Sequence, residues 1–480
     1  MLSSRRTFGL EKRFVYNMGQ RATAIDFGRD LSRSNDFLPR FSEGHDLESK
    51  LGLLAGSARF DLCGACGQSA SSRQRATLSV ERWIYPSALP DGRTVRLLKV
   101  LQTNSCTRNC LYCENRVSRD IARESFSPEE LSRLFERLQA AGLAEGLFLS
   151  SSIERNPDAD MARMIATAEL VRKRFGFRGY IHLKVLPGAS QAAIERAAQV
   201  ADRISINLEA PGPEALARIA RQKNFMKDML PQVGWIQGAV ENPNTRARSH
   251  TTQFVVGAAG ESDLEILSWT DRLYRKAGLQ RAYFSAYQIP DEDASLPGPP
   301  TPLLREHRLY QADFLLRRYG FQLDELVFQQ EGLLSLDADP KQAWASQHPE
   351  LFPVDISKAP IELLLRVPGI GPVSARRICT ARSKGLSGIP EDLRKLGVVL
   401  KRAAPYCLWA GRALAPDCLQ EELPFEEVQE GFWGAGPEPA HACRGLGTEW
   451  TDLEDRAGER LPPKSFVVDR HANAVLQNIY

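Results

Sequence analysis

The feature that most constrains this sequence is a run of three closely spaced cysteines, Cys106, Cys110 and Cys113. They follow the mostly apolar stretch 97–101, which predicts a buried strand that ends just before them. Three thiolates at this spacing can bind three corners of an iron–sulfur cube, whereas a [4Fe–4S] cluster takes four ligands. The run therefore predicts a cluster with one iron left open, carried on the loop after a strand.

Two other interpretations of these cysteines stay open at this point. A zinc site usually pairs two Cys-x-x-Cys knuckles or adds histidines. The other close pair in the chain is Cys63 and Cys66, and no histidine follows that pair at the spacing of a zinc finger. The three thiols could also be ordinary reduced cysteines. The spacing favours the cluster.

Length and composition limit the class of protein. A chain of 480 residues with 43% hydrophobic content is long enough for two or three domains with buried cores. It contains no run of eighteen apolar residues, so we predict no membrane span. Nine cysteines with a cluster motif are typical of a reducing compartment, which predicts a cytoplasmic location.

Strand-like and helix-like segments alternate after the cysteines. Ser127, Pro128 and Glu130 predict a helix start, with Ser127 as N-cap and Glu130 closing a capping box. Six strand–helix units predict a parallel sheet with right-handed crossovers, and therefore an α/β fold. The predicted strands are 97–103, 146–150, 180–186, 203–208, 254–257 and 282–287.

Polar residues at the carboxyl ends of these strands are candidate neighbours of a cofactor and a substrate, because parallel barrels keep their sites at that face. Along the fourth strand the candidates alternate, which places them on one face of the sheet. Each candidate could instead line the barrel with a structural hydrogen bond. They are Tyr112, Ser150, Ser151, Ser152, Lys184, Ser205, Asn207 and Glu209.

A second motif lies at residues 363–378. It predicts an apolar helix, a Pro-Gly-Ile-Gly turn and a second helix that opens with Pro372. Glycines permit a close backbone approach, and the amides at a helix start form an anion site. The motif resembles a helix-hairpin-helix, which contacts DNA phosphates without reading bases. The candidate DNA contacts are Gly369, Ile370, Gly371, Ser374, Arg376 and Arg377.

The charge distribution separates this motif from the end of the chain. Residues 356–402 contain ten Lys and Arg against three Asp and Glu, which is typical of a nucleic-acid contact. A solvated basic face or a protein-docking role stays open for the motif. We predict four regions: a flexible N-terminal arm (1–45), a core (46–345), a hairpin module (346–415) and a partly disordered acidic tail (416–480).

Taken together, the sequence resembles the DNA modification and repair family of radical S-adenosylmethionine (SAM) proteins, which are often found beside a uracil-DNA glycosylase-like protein. The resemblance extends from about residue 47 to residue 402. The stretches that carry it are 145–151, 179–184, 303–313 and 348–355, together with the cysteine run.

The resemblance implies an open (β/α)6 radical SAM barrel with a C-terminal α-helical helix-hairpin-helix module. It implies a [4Fe–4S] cluster on Cys106, Cys110 and Cys113, with SAM at the open iron. The implied activity is hydrogen abstraction from DNA by a 5′-deoxyadenosyl radical. The implied partners are DNA, a reductant such as flavodoxin or ferredoxin, and a uracil-DNA glycosylase-like protein.

Two further function classes stay open. The chain could be a radical SAM enzyme on RNA or a small molecule, with the hairpin used for docking. It could also be a DNA-binding protein whose cluster is structural or redox-sensing. Cys63 and Cys66 are candidate hydrogen-atom donors to a substrate radical, as a cysteine is in spore photoproduct lyase. They could instead ligate a second metal or be reduced thiols in a glycine-containing loop.

Overall fold

The structure is a computed structural model that describes residues 44–58, 83–88, 94–288, 299–384 and 390–414. Its largest element is a seven-stranded sheet whose strands lie side by side in chain order. β1 pairs antiparallel with β2, and the later pairings are parallel. The strands are β1 (Ile84–Ala88), β2 (Thr94–Leu101), β3 (Gly146–Ser150), β4 (Tyr180–Lys184), β5 (Arg203–Ser205), β6 (Ser249–Val256) and β7 (Arg281–Ala286).

Helices precede and connect these strands. The capping box predicted at Ser127 is present: Ser127 Oγ accepts from the Glu130 N–H at 3.1 Å, and Glu130 Oε2 accepts from the Ser127 N–H at 2.7 Å. Two π-helices, 170–174 and 225–229, adjoin α3 and α6. The helices are α1 (Gly44–Ser57), α2 (Pro128–Ala140), α3 (Pro157–Glu169), α4 (Gln191–Val200), α5 (Pro213–Ile219), α6 (Leu230–Glu241), α7 (Asp263–Ala277) and α8 (Leu303–Arg318).

The prediction of an α/β fold with six parallel strands is confirmed, and the sheet curls into a half-barrel. The antiparallel strand β1 and the helices α1, α6 and α8 were not predicted. Two strands differ most from their predicted bounds: β5 ends at Ser205 and not at residue 208, and β6 begins at Ser249 and not at residue 254. Among the described helices, none combines the length and the apolar character that crossing a membrane would need.

The two faces of the sheet differ in chemistry, as the alternation of side chains requires. Leu147 and Ile181 point to the helices and belong to the main apolar core. On the concave face, Phe148 packs edge-on against His182 with ring centroids 4.7 Å apart. His182 Nε2 in turn lies 2.8 Å from Ser205 Oγ. The concave face is therefore partly polar, unlike a fully apolar barrel interior.

The outer edge of β7 pairs with side chains instead of another strand. Backbone N–H groups on that edge would otherwise be buried without partners, at a cost of about 1–3 kcal/mol each. Three side chains accept hydrogen bonds from these N–H groups: Tyr274 from Ala282 at 2.9 Å, Tyr310 from Phe284 at 3.0 Å and Glu306 from Ala286 at 2.8 Å. The Tyr310 hydroxyl in addition donates to the Phe284 carbonyl at 3.0 Å.

A second, smaller apolar core follows the barrel. Phe352 and Tyr406 pack against both cores and join them. The helix α9 (Pro340–Gln347) precedes the second core and packs on the main one through Trp344 and Ala345. A short three-stranded sheet and four helices surround the second core. They are β8 (Val354–Asp355), α10 (Ile361–Leu364), α11 (Pro372–Ser383), α12 (Pro390–Lys395), α13 (Leu400–Ala403), β9 (Cys407–Trp409) and β10 (Arg412–Ala413).

Tyr310→Phe is expected to lower the free energy of unfolding by about 2 kcal/mol, because it strands the N–H and the carbonyl of Phe284. Tyr406→Phe is the matched control, since the described residues offer its hydroxyl no hydrogen-bond partner. Urea denaturation of both variants measures the difference. Equal stabilities would contradict the proposed capping of the β7 edge.

Candidate active site

A cavity of about 530 Å³ opens at the carboxyl ends of the parallel strands. All three cysteines of the run line it. Seven of the eight predicted neighbours also line it, although they come from four different loops and strand ends. They are Tyr112, Ser150, Ser151, Ser152, Lys184, Asn207 and Glu209.

Ser205 is the exception. It lies one pleat deeper than Asn207 on the concave face, and its hydroxyl contacts His182 instead of the cavity. Alternation thus places Ser205 on the same face as Asn207, as predicted, but Ser205 does not line the cavity, and its contact with a cofactor stays a prediction. Regular strand geometry ends at Ser205, and the chain beyond it turns toward the cavity.

Arg123 fixes the shape of the cysteine loop. Its guanidinium makes four hydrogen bonds to backbone carbonyls, which ties the start of the loop to its end. Carbonyl groups in an irregular loop need such donors when they are shielded from water. The acceptors are Asn104 at 2.6 Å, Asn115 at 2.8 Å, Arg116 at 2.7 Å and Arg119 at 3.0 Å.

A second support comes from the segment after α5. The Leu111 N–H donates to the Ile219 carbonyl at 2.8 Å. Gln222 accepts from the Asn109 N–H at 2.6 Å through its side chain, and from Arg108 Nη1 at 2.7 Å through its carbonyl. The cysteine loop is thus held in place by a segment more than a hundred residues away.

The thiols fit an iron–sulfur cluster. Burial raises the pKa of the Cys113 thiol to about 12, and the neighbouring Cys110 adds to the shift. Burial also raises the pKa of Cys110. Thiolates at these positions consequently need a cation in place of the proton, which iron supplies.

Asn115 provides an independent sign that the cavity accommodates a polar group. It lines the cavity and is 8% exposed, and its Oδ1 has no hydrogen-bond partner within the described residues. A buried acceptor of this kind is normally satisfied. SAM carries amino groups that can donate to it, so the residues present fit this cofactor.

Lys223, which the sequence analysis missed, joins the cysteine loop to the end of β5. Its Nζ donates to Tyr112 Oη at 2.7 Å and to Glu209 Oε1 at 3.2 Å. Burial disfavours both charges, but their mutual attraction prevails: it lowers the pKa of Glu209 and raises the pKa of Lys223. The pair is therefore ionised beside the thiols.

Glu209 has a left-handed backbone, with φ of 66°. Such a conformation is unfavourable by about 1–3 kcal/mol for a residue other than glycine. Two hydrogen bonds hold it: the Glu209 N–H donates to Gln253 at 2.9 Å, and its carbonyl accepts from Val255 at 2.7 Å. Strain of this kind at a cavity wall is typical of a functional position.

The cavity also includes residues that the sequence analysis did not list as sites. Gln253 and Ser285 sit at the carboxyl halves of β6 and β7. Gln253 was missed because the predicted strand began one residue after it. Glu306, from α8, reaches the cavity while its Oε2 accepts from Ala286. Cys63 and Cys66 lie outside the described residues, so their role as hydrogen-atom donors stays a prediction.

The predicted DNA contacts in the hairpin have mixed surroundings. Arg376 and Arg377 are exposed. Ile370 is buried, and its carbonyl accepts from Lys341 Nζ at 2.6 Å. Ser374 Oγ donates to the Gly397 carbonyl at 2.6 Å. The side chains of Ile370 and Ser374 thus have internal roles.

The two hairpin glycines differ. Gly369 has φ of 84°, and a Cβ there would lie 2.6 Å from the Val399 carbonyl oxygen. Gly369 is thus required by packing within the module. Gly371 has an extended backbone, and a Cβ there would meet only the Tyr319 hydroxyl, at 3.4 Å.

Residues 100–267 match the radical SAM superfamily, over about a third of the chain. The chain contains a radical SAM domain. Enzymes with this domain use a [4Fe–4S] cluster, which the cysteine run predicts, and SAM, which the family resemblance implies. The match establishes an enzyme of this superfamily with an unspecified reaction.

Three solved structures resemble the radical SAM protein at 12–15% identity. One HydG structure, a maturase of the [FeFe]-hydrogenase, has a TM-score of 0.37 at 12% identity, over 45% of this chain and 48% of its own. HydG from Carboxydothermus hydrogenoformans has a TM-score of 0.37 at 15% identity, and the match covers 46% of this chain and 51% of the HydG chain. Methylornithine synthase (PylB) has a TM-score of 0.36 at 15% identity, and the match covers 55% of this chain and 75% of the PylB chain.

The chain spans about half the length of the two HydG chains that it matches. No curated protein sequence matches the chain. Similarities this distant identify neither its reaction nor its substrate.

Lys223→Met is expected to lower the reduction potential of the cluster by roughly 50–100 mV, because it removes a buried cation beside the thiols. Lys223→Arg keeps the positive charge and should therefore keep most of the reduction potential of the unaltered protein. Lys227→Met, which removes an exposed lysine nearby, is the control. Redox titration followed by electron paramagnetic resonance measures the potentials, and identical values for the methionine variants would refute the electrostatic role of Lys223.

Proposed function

We propose that this radical SAM enzyme acts on DNA, in modification or repair. The observation that carries the proposal is an exposed basic hairpin anchored to the barrel through buried contacts. Arg376 and Arg377 supply exposed cations on α11. Phosphate contacts of this kind position a protein on nucleic acid without reading sequence.

The anchoring of the hairpin supports a fixed distance between bound DNA and the cavity. Lys341 on α9 is 7% exposed and donates to the turn carbonyl of Ile370. Arg402 pairs with Asp339 of the α9 N-cap. A buried lysine with a single backbone acceptor is unfavourable unless its geometry is well maintained. The hairpin therefore moves with the barrel as one body in this proposal.

We assign Cys106, Cys110 and Cys113 as the cluster ligands. When bound, the cofactors supply a 5′-deoxyadenosyl radical that takes a hydrogen atom from the substrate. The residues of the chain bind and orient SAM and keep water out of the cavity. The proposed SAM contacts are Tyr112, Ser150, Ser151, Ser152, Lys184, Asn207 and Glu209.

A base inside a duplex cannot reach the cavity, so the target nucleotide must be flipped out or presented in a single strand. The proposal includes reduced flavodoxin or ferredoxin as electron donor and a uracil-DNA glycosylase-like protein as partner. It also includes a cytoplasmic location.

Anaerobically reconstituted protein is expected to form 5′-deoxyadenosine from SAM after reduction, and added DNA should increase the rate. Cys110→Ala should abolish this cleavage while DNA binding stays within about twofold of the unaltered protein, because the cysteine lies in the barrel and not in the hairpin. Chromatography and fluorescence anisotropy measure the two properties. Stimulation by RNA or a small molecule but not by DNA would point to a different substrate.

Joint replacement of Arg376 and Arg377 by Glu is expected to weaken DNA binding by at least about tenfold, with basal SAM cleavage retained. Replacing Gly369 is a poorer test, since any side chain there collides with the Val399 carbonyl and disrupts the module. Lys173→Glu, at a 75% exposed side chain in the barrel, is the control. Unchanged binding by the arginine variant would contradict a DNA-contacting hairpin.

A further inference from the structure

Two arginines lie on the concave face of the sheet, at the amino ends of their strands. Arg203 is the first residue of β5 and is paired with His182, which lies on the concave face. Arg281 is the first residue of β7 and is paired with Thr251, which is itself paired with Ser205. Residues opposite each other in adjacent strands share one face of a sheet. Both arginine side chains therefore extend into the half-barrel.

These arginines are separate from the candidate active site. Ser285 and Lys184 line the cavity at the carboxyl ends of their strands. Arg281 precedes Ser285 by four residues, which corresponds to about 13 Å along a strand. Tyr180 precedes Lys184 by the same number of residues on β4. The arginines thus lie at the opposite end of the half-barrel from the cysteines.

Arg281 has no polar partner among the residues that the structure describes. Its Nε is buried without a hydrogen bond, and its guanidinium forms no ion pair there. The guanidinium instead lies over the rings of Tyr283 and Tyr310, at 4.8 Å and 5.8 Å from their centroids. The nearby carboxylate of Asp313 is already bound by Arg317. A buried charge without a counter-charge is unfavourable, and aromatic stacking compensates this only in part.

Arg203 has only neutral partners in the same described part of the chain. It is 8% exposed, and its Nε donates to Ser249 Oγ at 3.0 Å. Its Nη2 donates to the side-chain oxygen of Gln280, the residue just before β7, at 3.3 Å. The Tyr180 ring centroid lies 5.9 Å from its guanidinium carbon. The adjacent carboxylate of Asp202 is bound by other arginines.

Two tyrosine hydroxyls complete this group. Tyr180 and Tyr283 are half-buried on the concave face, and neither hydroxyl makes a hydrogen bond within the described ranges. Burial raises the pKa of Tyr180, and the neighbouring Tyr283 adds to the shift, so the hydroxyl stays protonated and can donate. We call Tyr180, Arg203, Arg281 and Tyr283 the arginine site.

The surroundings of the arginine site are electropositive. Burial lowers the pKa of His182 well below its usual range, and Arg203, Lys99 and Lys184 lower it further. His182 is therefore neutral, and each of the charges that act on it is positive. An anion that entered the half-barrel would be attracted to this face.

The donors of the arginine site match a divalent oxyanion. The planar guanidinium fork fits phosphate oxygens, and a hydroxyl can donate to the same group. A phosphate monoester carries about −1.5 to −2 charges near pH 7, which balances two guanidinium groups. A carboxylate would balance only one of them.

We propose that the arginine site binds a phosphate group, from either the free ion or a nucleotide, at the amino end of the half-barrel. Arg203 and Arg281 neutralise its charge, and the hydroxyls of Tyr180 and Tyr283 donate to its oxygens. The inference is independent of the proposed action on DNA, because neither the hairpin nor the cysteine loop contributes to the site.

The test is calorimetric titration of the full-length, cluster-loaded protein with inorganic phosphate. Arg281→Met should weaken binding by roughly tenfold or more, because it removes charged hydrogen-bond donors. Arg272→Met is the matched control, since it removes an exposed guanidinium that stacks on Trp269 at 5.8 Å, outside the site. Joint replacement of Arg376 and Arg377 by Glu should leave phosphate binding intact and alter only DNA binding.

Thymidine 5′-monophosphate and thymidine distinguish the two sources of the phosphate group. Tighter binding of the nucleotide than of inorganic phosphate, lost in Arg281→Met, supports the site and identifies a nucleotide as its ligand. Equal or tighter binding of inorganic phosphate, with the same dependence on Arg281, supports the site and identifies the free ion. Thymidine lacks the phosphate, and its binding should not depend on Arg281.

Two results would overturn the inference: equal phosphate affinity of Arg281→Met and Arg272→Met, or no phosphate binding by the unaltered protein. Circular dichroism detects a failure of Arg281→Met to fold. Tyr283→Phe then replaces it, because this change removes one hydroxyl and keeps the ring under the guanidinium. It should weaken phosphate binding by about threefold. Unchanged affinity in Tyr283→Phe would then refute the site.

Discussion

The parallel hydrogen-bond ladder from β2 to β7 is the constraint on which the site depends. Because the strands lie in chain order and point the same way, every loop at their carboxyl ends opens onto one edge. The cysteine loop after β2 therefore lies near Ser150 and Lys184, although these residues are widely separated in sequence. Residues that are far apart in sequence are thus brought to one cavity by the order and direction of the strands.

The strand pairing does not fix the conformation of the cysteine loop, which depends on hydrogen bonds from polar side chains. Arg123 connects the two ends of the loop by donating to their backbone carbonyls. Gln222, which follows α5, accepts hydrogen bonds from Arg108 and Asn109 in the middle of the loop. Lys223 adds a charge that links Tyr112 to Glu209. A loop that carries three thiols thus has a preformed shape, and ligands held in place in advance bind with a smaller loss of conformational entropy.

The sequence predicted the parts of the fold and site that follow local rules. The capping box at Ser127, the parallel strands and the strand-end serines needed only periodicity and caps. The start of β6 was missed because its first residues, from Ser249 to Thr252, are polar and yet buried. Lys223 lies in a connecting segment with no motif of its own, so only tertiary contacts reveal it.

The half-barrel has one more consequence, for solubility. An unclosed sheet has two edges, and a row of unpaired amides is a template on which neighbouring molecules can add strands. Here the amides of β7 are occupied by tyrosine hydroxyls and a carboxylate, and Pro86 removes one donor from β1 at the opposite edge. The same carboxylate, Glu306, also lines the cavity. Glu306 thus covers the β7 edge and lines the candidate active site at once.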